Sequence, residues 1–221
     1  MHRRRLLTAA ALLPAGALAA GRVSACRLFP ADLTDRYRAL QAGAEVGRQS
    51  IVFRRETGRF VVEVEVGIRF VLPGVGAVDY SHECREIWDT GWLHALDSRT
   101  RIGGRERYVE ARRRKGALFV NGSEVRAYQI STYVVPSSLW HRDSRLVEAF
   151  IDVESGDLRF VRPRYVGSER LEQGGAALEA NHYRMRGQLN LDAWYDGDCA
   201  LVRWDRPVAG GDGISFLLQP A

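Results

Sequence analysis

The chain has 221 residues, with 32 Lys or Arg against 27 Asp or Glu and a formal net charge of +5. Four basic residues, Arg3, Arg4, Arg5 and Arg22, lie in the first 25 positions, which hold no acid, so the remainder carries 28 basic against 27 acidic side chains. That near balance takes away the main support for nucleic-acid binding, whose affinity rests on a concentrated basic face. The roughly 195 residues that follow suit one domain with a sizeable core.

In chain order, the Arg3-Arg4-Arg5 cluster leads into an apolar run over 6–13, too short to span a bilayer, and then into small residues ending at Val23-Ser24-Ala25-Cys26. These are the parts of an export signal, so residues 1–25 predict a protein of the periplasm or envelope. Arg3-Arg4-Arg5-Leu6-Leu7 resembles the twin-arginine export pattern; an ordinary secretory segment written in Arg reads the same way in a chain whose single lysine is Lys115. Val23-Ser24-Ala25-Cys26 resembles a lipobox, in which Cys26 would be lipidated and tether the protein. Arg22 departs from that motif, and cleavage after Ala19, Ala20 or Ala25 is the alternative. No later stretch reaches membrane-spanning length, which predicts no transmembrane segment in the mature chain. Residues 26–36 read as a linker and 37–221 as a single all-β domain.

The periodicity is β almost throughout. Phe60, Val62, Val64, Val66, Ile68 and Phe70 alternate with Glu63, Glu65, Gly67 and Arg69, the two-residue period of a half-buried strand. A partner strand over 47–55 joins it through Glu56-Thr57-Gly58. Further strands are predicted over 78–88, 92–101, 105–114, 117–120 and 124–131. They are separated by Asp89-Thr90-Gly91, Gly103-Gly104, Lys115-Gly116 and Asn121-Gly122, residues that tolerate positive φ in tight hairpins. Arg112-Arg113-Arg114-Lys115 alternates between two faces in such a strand and reads as a solvated strand end. The stretch 134–140 breaks the pattern, because Pro136 cannot donate to a ladder and the Ser137-Ser138 pair can cap a helical turn. Strands resume over 146–152, 159–169, 181–191, 191–195, 200–206 and 213–218. Such a meander must close, curl or split, which predicts a single antiparallel sheet curled into a half-barrel or barrel, with at most one short helix.

The succession Glu86-Ile87-Trp88, Gly91-Trp92-Leu93, residues 96–100, Pro136-Ser137-Ser138-Leu139-Trp140, Ala193-Trp194-Tyr195-Asp196 and Gly213-Ile214-Ser215-Phe216 resembles a family of exported bacterial proteins known only as a domain of unknown function. The likeness runs from about Tyr37 to the end. More distantly, the chain is similar to another uncharacterised exported β family in which a Trp-bearing strand follows a Gly-Gly turn, as Trp194 follows Gly174-Gly175. The resemblance implies a curled antiparallel sheet, loosely like periplasmic lipoprotein carriers, and brings no catalytic residues.

Individual residues offer little chemistry. His82 and Cys84 share a strand face with Glu86, yet no CxxC, HExxH or second cluster completes a metal site, so a half-buried His beside a core Cys is the expected outcome and neither metal nor cofactor is predicted. Ser137, Ser138, His141 and Asp143 read as a cap and turn, and Asp152, Glu154 and Asp157 as a solvated hairpin turn around Ser155-Gly156. Cys84 and Cys199 are the two cysteines certain to survive processing, which makes them candidates for a disulfide in an oxidising compartment; a retained Cys26 reopens the pairing. Among the aromatic residues, Trp88, Trp140 and Trp194, with Tyr195, are candidates for the wall of an apolar cavity, and Arg99 or Arg184 for contact with an anionic head group. The leading functional expectation is a non-catalytic binding or carrier module for an apolar or amphipathic molecule. A structural or interaction protein of the envelope and an enzyme with an unrecognised site are the alternatives.

Overall fold

The computed structural model describes residues 26, 29 and 32–220; the expected export signal lies outside them. Eight strands follow one another as antiparallel hairpins: β1 (Leu33–Gln41), β2 (Ala44–Glu56), β3 (Arg59–Leu72), β4 (Gly76–Asp89), β5 (Trp92–Ile102), β6 (Arg105–Arg114), β7 (Ala117–Gly122) and β8 (Tyr128–Ile130). A second run comprises β9 (Val135–Pro136), a 3-10 turn (Arg142–Arg145), β10 (Ala149–Ile151), β11 (Leu158–Gln173), β12 (Ala176–Gly187), β13 (Leu191–Tyr195), β14 (Leu201–Val208) and β15 (Gly211–Leu218). The hairpins form where the sequence places them except at Asn121-Gly122, which pair with Glu110 and Val109 as the end of β7 and leave the turn to residues 123–127. Thr57 and Gly58, at φ 47° and 80°, and Lys115 and Gly116, at 49° and 83°, each supply two consecutive positive φ angles, the backbone of a two-residue turn matched to strand twist.

All fifteen strands belong to one sheet, in the order β8-β7-β6-β5-β4-β3-β2-β1-β15-β14-β13-β12-β11-β10-β9. The first and last strands pair at its centre, with Tyr37 opposite Leu218 and Gln41 opposite Ile214. Its two edges, β8 and β9, are consecutive in the chain. The sheet is therefore curled but not closed, and the break falls at the bend around Pro136. One departure from an antiparallel meander is β9, which pairs parallel to β10 through Phe150 and Val135; a parallel neighbour needs a crossover, and residues 137–148 supply it. The expected linker also differs. Leu33 already opposes Phe53 in the β1–β2 ladder, and Phe29 packs 4.5 Å from Phe60.

Inward-facing residues of nearly every strand meet in one apolar core. On β3 the buried residues include Phe60, Val62, Val64, Ile68 and Phe70, and on β4 Val78, His82, Cys84, Glu86 and Trp88. The crossover 137–148 does not stay on the surface: Leu139, Trp140, His141 and Ser144 are all buried. It enters the curl as a plug.

Candidate functional site

The plug meets the sheet at a buried carboxylate. Alternation along β4 turns Glu86 inward between Cys84 and Trp88, where its side chain is fully removed from solvent. Ser138 Oγ donates to Glu86 Oε1 at 2.6 Å, while Trp88 Nε1 and Trp140 Nε1 donate to Oε2 at 2.8 and 3.0 Å. Burial pushes the Glu86 pKa up to about 7, and the three donors oppose that shift. Around this carboxylate the rings interlock. Trp140 lies 5.5 Å from Trp88 and from Phe53, and the imidazole of His141 stacks on Trp88 at 4.6 Å. His141 Nδ1 accepts from the Asp143 amide, capping the 3-10 turn, and burial lowers its pKa to about 4. Leu139 is held at φ 66°, a costly angle for a bulky residue, with its carbonyl accepting from Tyr195 Oη at 2.9 Å.

Beside the plug lies a cavity of about 70 Å³ whose lining includes His82, Tyr80, Ser137, Glu154, Trp204 and Arg206. Its polar groups are mostly spent on one another. His82 Nδ1 lies 2.8 Å from Thr100 Oγ1, Tyr80 donates to Glu154, Arg206 is ion-paired to Glu154, and Ser137 Oγ accepts from the Val153 amide. Burial lowers the His82 pKa to about 4, so this imidazole is neutral. No serine here has a histidine base, and the enclosed volume is far below the several hundred Å³ of a usual ligand pocket. Glu154 is thus no solvated turn residue; it ties the 152–157 turn to β14. Among the described residues no three His, Cys, Asp or Glu side chains gather as a metal site.

The candidate ligand residues divide. Trp88 and Trp140, expected on a cavity wall, lie together inside the packed box with Glu86. Tyr195 is buried behind Leu139. Trp194 faces the other side of the sheet, stacked on His182 at 4.2 Å with Arg203 over its ring at 4.5 Å, and its indole N–H donates to Glu169. Arg99 is exposed on β5, opposite Glu83 and Tyr108. Arg184 is exposed on β12 and bonds Asp192 at 3.0 Å. Glu86 and the plug went unrecognised in the sequence, although the spacing of His82, Cys84 and Glu86 put all three on one strand face.

The cysteine pairing is a correction. Cys26 bonds Cys199, and Cys84 is a free, buried thiol. Cys84 points into the core between β3 and β5, opposite Val64 and Ser98, whereas Cys199 sits in the β13–β14 turn that Asp196 organises by accepting from the Asp198 and Ala200 amides. Arg142 donates to the Cys26 carbonyl at 2.6 Å, fixing the incoming segment against the plug.

The outer face of β11 and β12 has a different character. Arg162 stands directly opposite Arg186, and Arg164 directly opposite Arg184. Arg184 and Arg186 share Asp192, while Arg162 and Arg164 have no ion pair among the described residues. Phe160, one outward position before Arg162, is 57% exposed.

Residues 37–219 match a family described as a domain of unknown function, DUF6134, and the chain belongs to that family. Among solved structures it is similar to a β-barrel-like protein of another domain of unknown function, DUF1849, from Brucella abortus. The two share 9% identity at a TM-score of 0.61, over 88% of this chain and 97% of that one. That likeness concerns the fold alone. No curated protein matches the chain. Among the described residues no helix is long and apolar enough to cross a membrane.

Proposed function

We propose that the chain is an exported envelope protein that acts through its outer surface as a non-catalytic interaction module. The observation that supports this best is the filled interior: residues 137–144 occupy the space inside the curl, Trp88 and Trp140 are buried against Glu86, and the cavity beside them is small, about 70 Å³. Export is supported by the amino-terminal pattern and by the Cys26–Cys199 bond, which persists in oxidising compartments. Because that bond uses Cys26 Sγ, the atom a lipobox would modify, the reading is of a chain tied down by its disulfide rather than by a lipid.

Carriage of an apolar molecule, the leading expectation from the sequence, requires the plug to leave. That would break the Trp140–Glu86 and Tyr195–Leu139 bonds and expose the aromatic box. The deciding experiment is mass spectrometry of an organic extract of protein recovered from its host and washed in about 0.5 M salt, which screens surface-held charge. The interaction reading predicts no apolar molecule at one-to-one stoichiometry; a lipid retained at that ratio would favour the carrier.

A further inference from the structure

We infer that the outer face of β11 and β12 is a docking surface for an anionic lipid bilayer, with Arg162, Arg164, Arg184 and Arg186 contacting lipid phosphates and Phe160 entering the apolar boundary. The inference rests on the interaction reading above and names its partner. Directly opposed residues of an antiparallel pair have Cβ atoms about 5 Å apart, and like charges so placed destabilise the sheet. Here two such pairs follow each other, Arg162–Arg186 and Arg164–Arg184, so four guanidinium groups crowd a patch roughly 7 Å along each strand. The fold neutralises them only in part. Asp192 is bonded to Arg184 and Arg186 and also to His182, leaving Arg162 and Arg164 without an acid among the described residues. An external anion supplies what the protein withholds, and guanidinium groups bind phosphate oxygens in a two-pronged geometry that lysine cannot match.

Phe160 selects a membrane among phosphate sources. It lies on the same outward face, in line with Arg162, and more than half of it is exposed. An aromatic ring beside a cationic patch suits the boundary between head groups and acyl chains, whereas soluble phosphate has no use for it. β10 pairs β11 only over Leu158–Phe160, and the stretch of β11 beyond it favours surface docking over strand addition: Pro163 lacks an amide donor, and a bulge interrupts the β11–β12 ladder between Tyr165 and Gly167. Six strand positions from β12, a groove on β3 to β6 is lined by Glu63, Glu65, Glu83, Asp97, Glu106 and Glu110 together with Arg85 and Arg99; there Glu63, Asp97 and Glu106 are ion-paired to Arg85, Arg112 and Arg101, in contrast to the unpaired Arg162 and Arg164.

The test is cosedimentation of the protein, as recovered from its host, with phosphatidylcholine vesicles that contain or lack phosphatidylglycerol. Expected are binding to the anionic vesicles alone, weakening with salt, and a loss of about fivefold for each arginine removed, hence about 25-fold for Arg162→Ala/Arg164→Ala. Phe160→Ser should weaken binding while leaving its salt dependence unchanged. Thermal unfolding of the double variant should match or exceed wild type, because a like-charge contact is relieved, which separates lost binding from lost folding. Equal binding to both vesicle types, no vesicle binding, or binding unaffected by the double variant would overturn the proposal. So would capture of inorganic polyphosphate without vesicles, or self-association in place of lipid binding. Each of these leaves the filled interior untouched, whereas a lipid extracted one-to-one from the interior would defeat the interaction reading itself.

Discussion

Glu86 concentrates the physics of the interior in one side chain. Its raised pKa, about 7 against 4.5 unfolded, means that the native state binds the proton more tightly, so its contribution is fully present below pH 4.5 and lost as pH rises through 7, on the order of 3 kcal/mol. His82 and His141 act in the opposite sense. With pKa values lowered from 6.5 to about 4, both stay neutral while the unfolded chain protonates, so stability falls as pH drops from 6.5 towards 4. Asp35, pushed up to about 6 by burial, and Asp196, also raised, act with Glu86 and offset much of that loss, so calorimetry should show only a shallow change of stability between pH 6.5 and 4. Glu86→Gln keeps an acceptor for both indole N–H groups and can donate to Ser138. It should be near neutral at pH 4.5, stabilising at pH 8, and steeper in its acid loss. Glu86→Ala leaves two buried indole donors without an acceptor and should cost about 1–3 kcal/mol for each. Denaturant unfolding of both variants at two pH values checks the sign.

The strands were legible wherever one face is buried and the turn is tight. In β3 the register puts Val64 inside opposite Cys84 and Ile51, with Glu65 exposed beside it. Val64→Asp should unfold the domain or nearly so, because an unpaired buried charge costs several kcal/mol, while Glu65→Lys should change the unfolding midpoint little. Equal tolerance at the two positions would contradict the packing. What the pattern did not carry is equally physical. In β1, Tyr37, Ala39 and Gln41 face inward, a mixture of an aromatic, a small residue and an amide that does not read as an apolar stripe. The plug has no period, since its position depends on partners far along the chain: Trp140 meets Glu86, and Leu139 meets Tyr195. Trp140→Ala therefore removes both packing and a hydrogen bond, and should cost about 3–5 kcal/mol rather than loosening the mouth of a cavity.

At the scale of the whole molecule, the chain begins and ends at the centre of its own sheet and leaves consecutive strands at the two edges. The Cys26–Cys199 bond, spanning 173 residues, ties the amino-terminal segment over the plug. Such a pairing is invisible to spacing alone, because it depends on how the sheet returns β13 and β14 to that end. Cys26→Ser or Cys199→Ser should cost about 2–5 kcal/mol by chemical denaturation, and reduction of wild type should reproduce the loss, whereas Cys84→Ser should not mimic it. Whether the curl is filled by its own crossover can be read from hydrogen exchange at the indole N–H groups, followed by NMR after transfer to deuterated buffer. The Trp88 and Trp140 indole protons should persist as long as the slowest β3 and β4 amides and shift together as Glu86 titrates near pH 7, while the exposed Trp92 exchanges at once. Rapid exchange at Trp140 alongside Trp92 would show a plug that leaves the interior freely, and would contradict a filled curl.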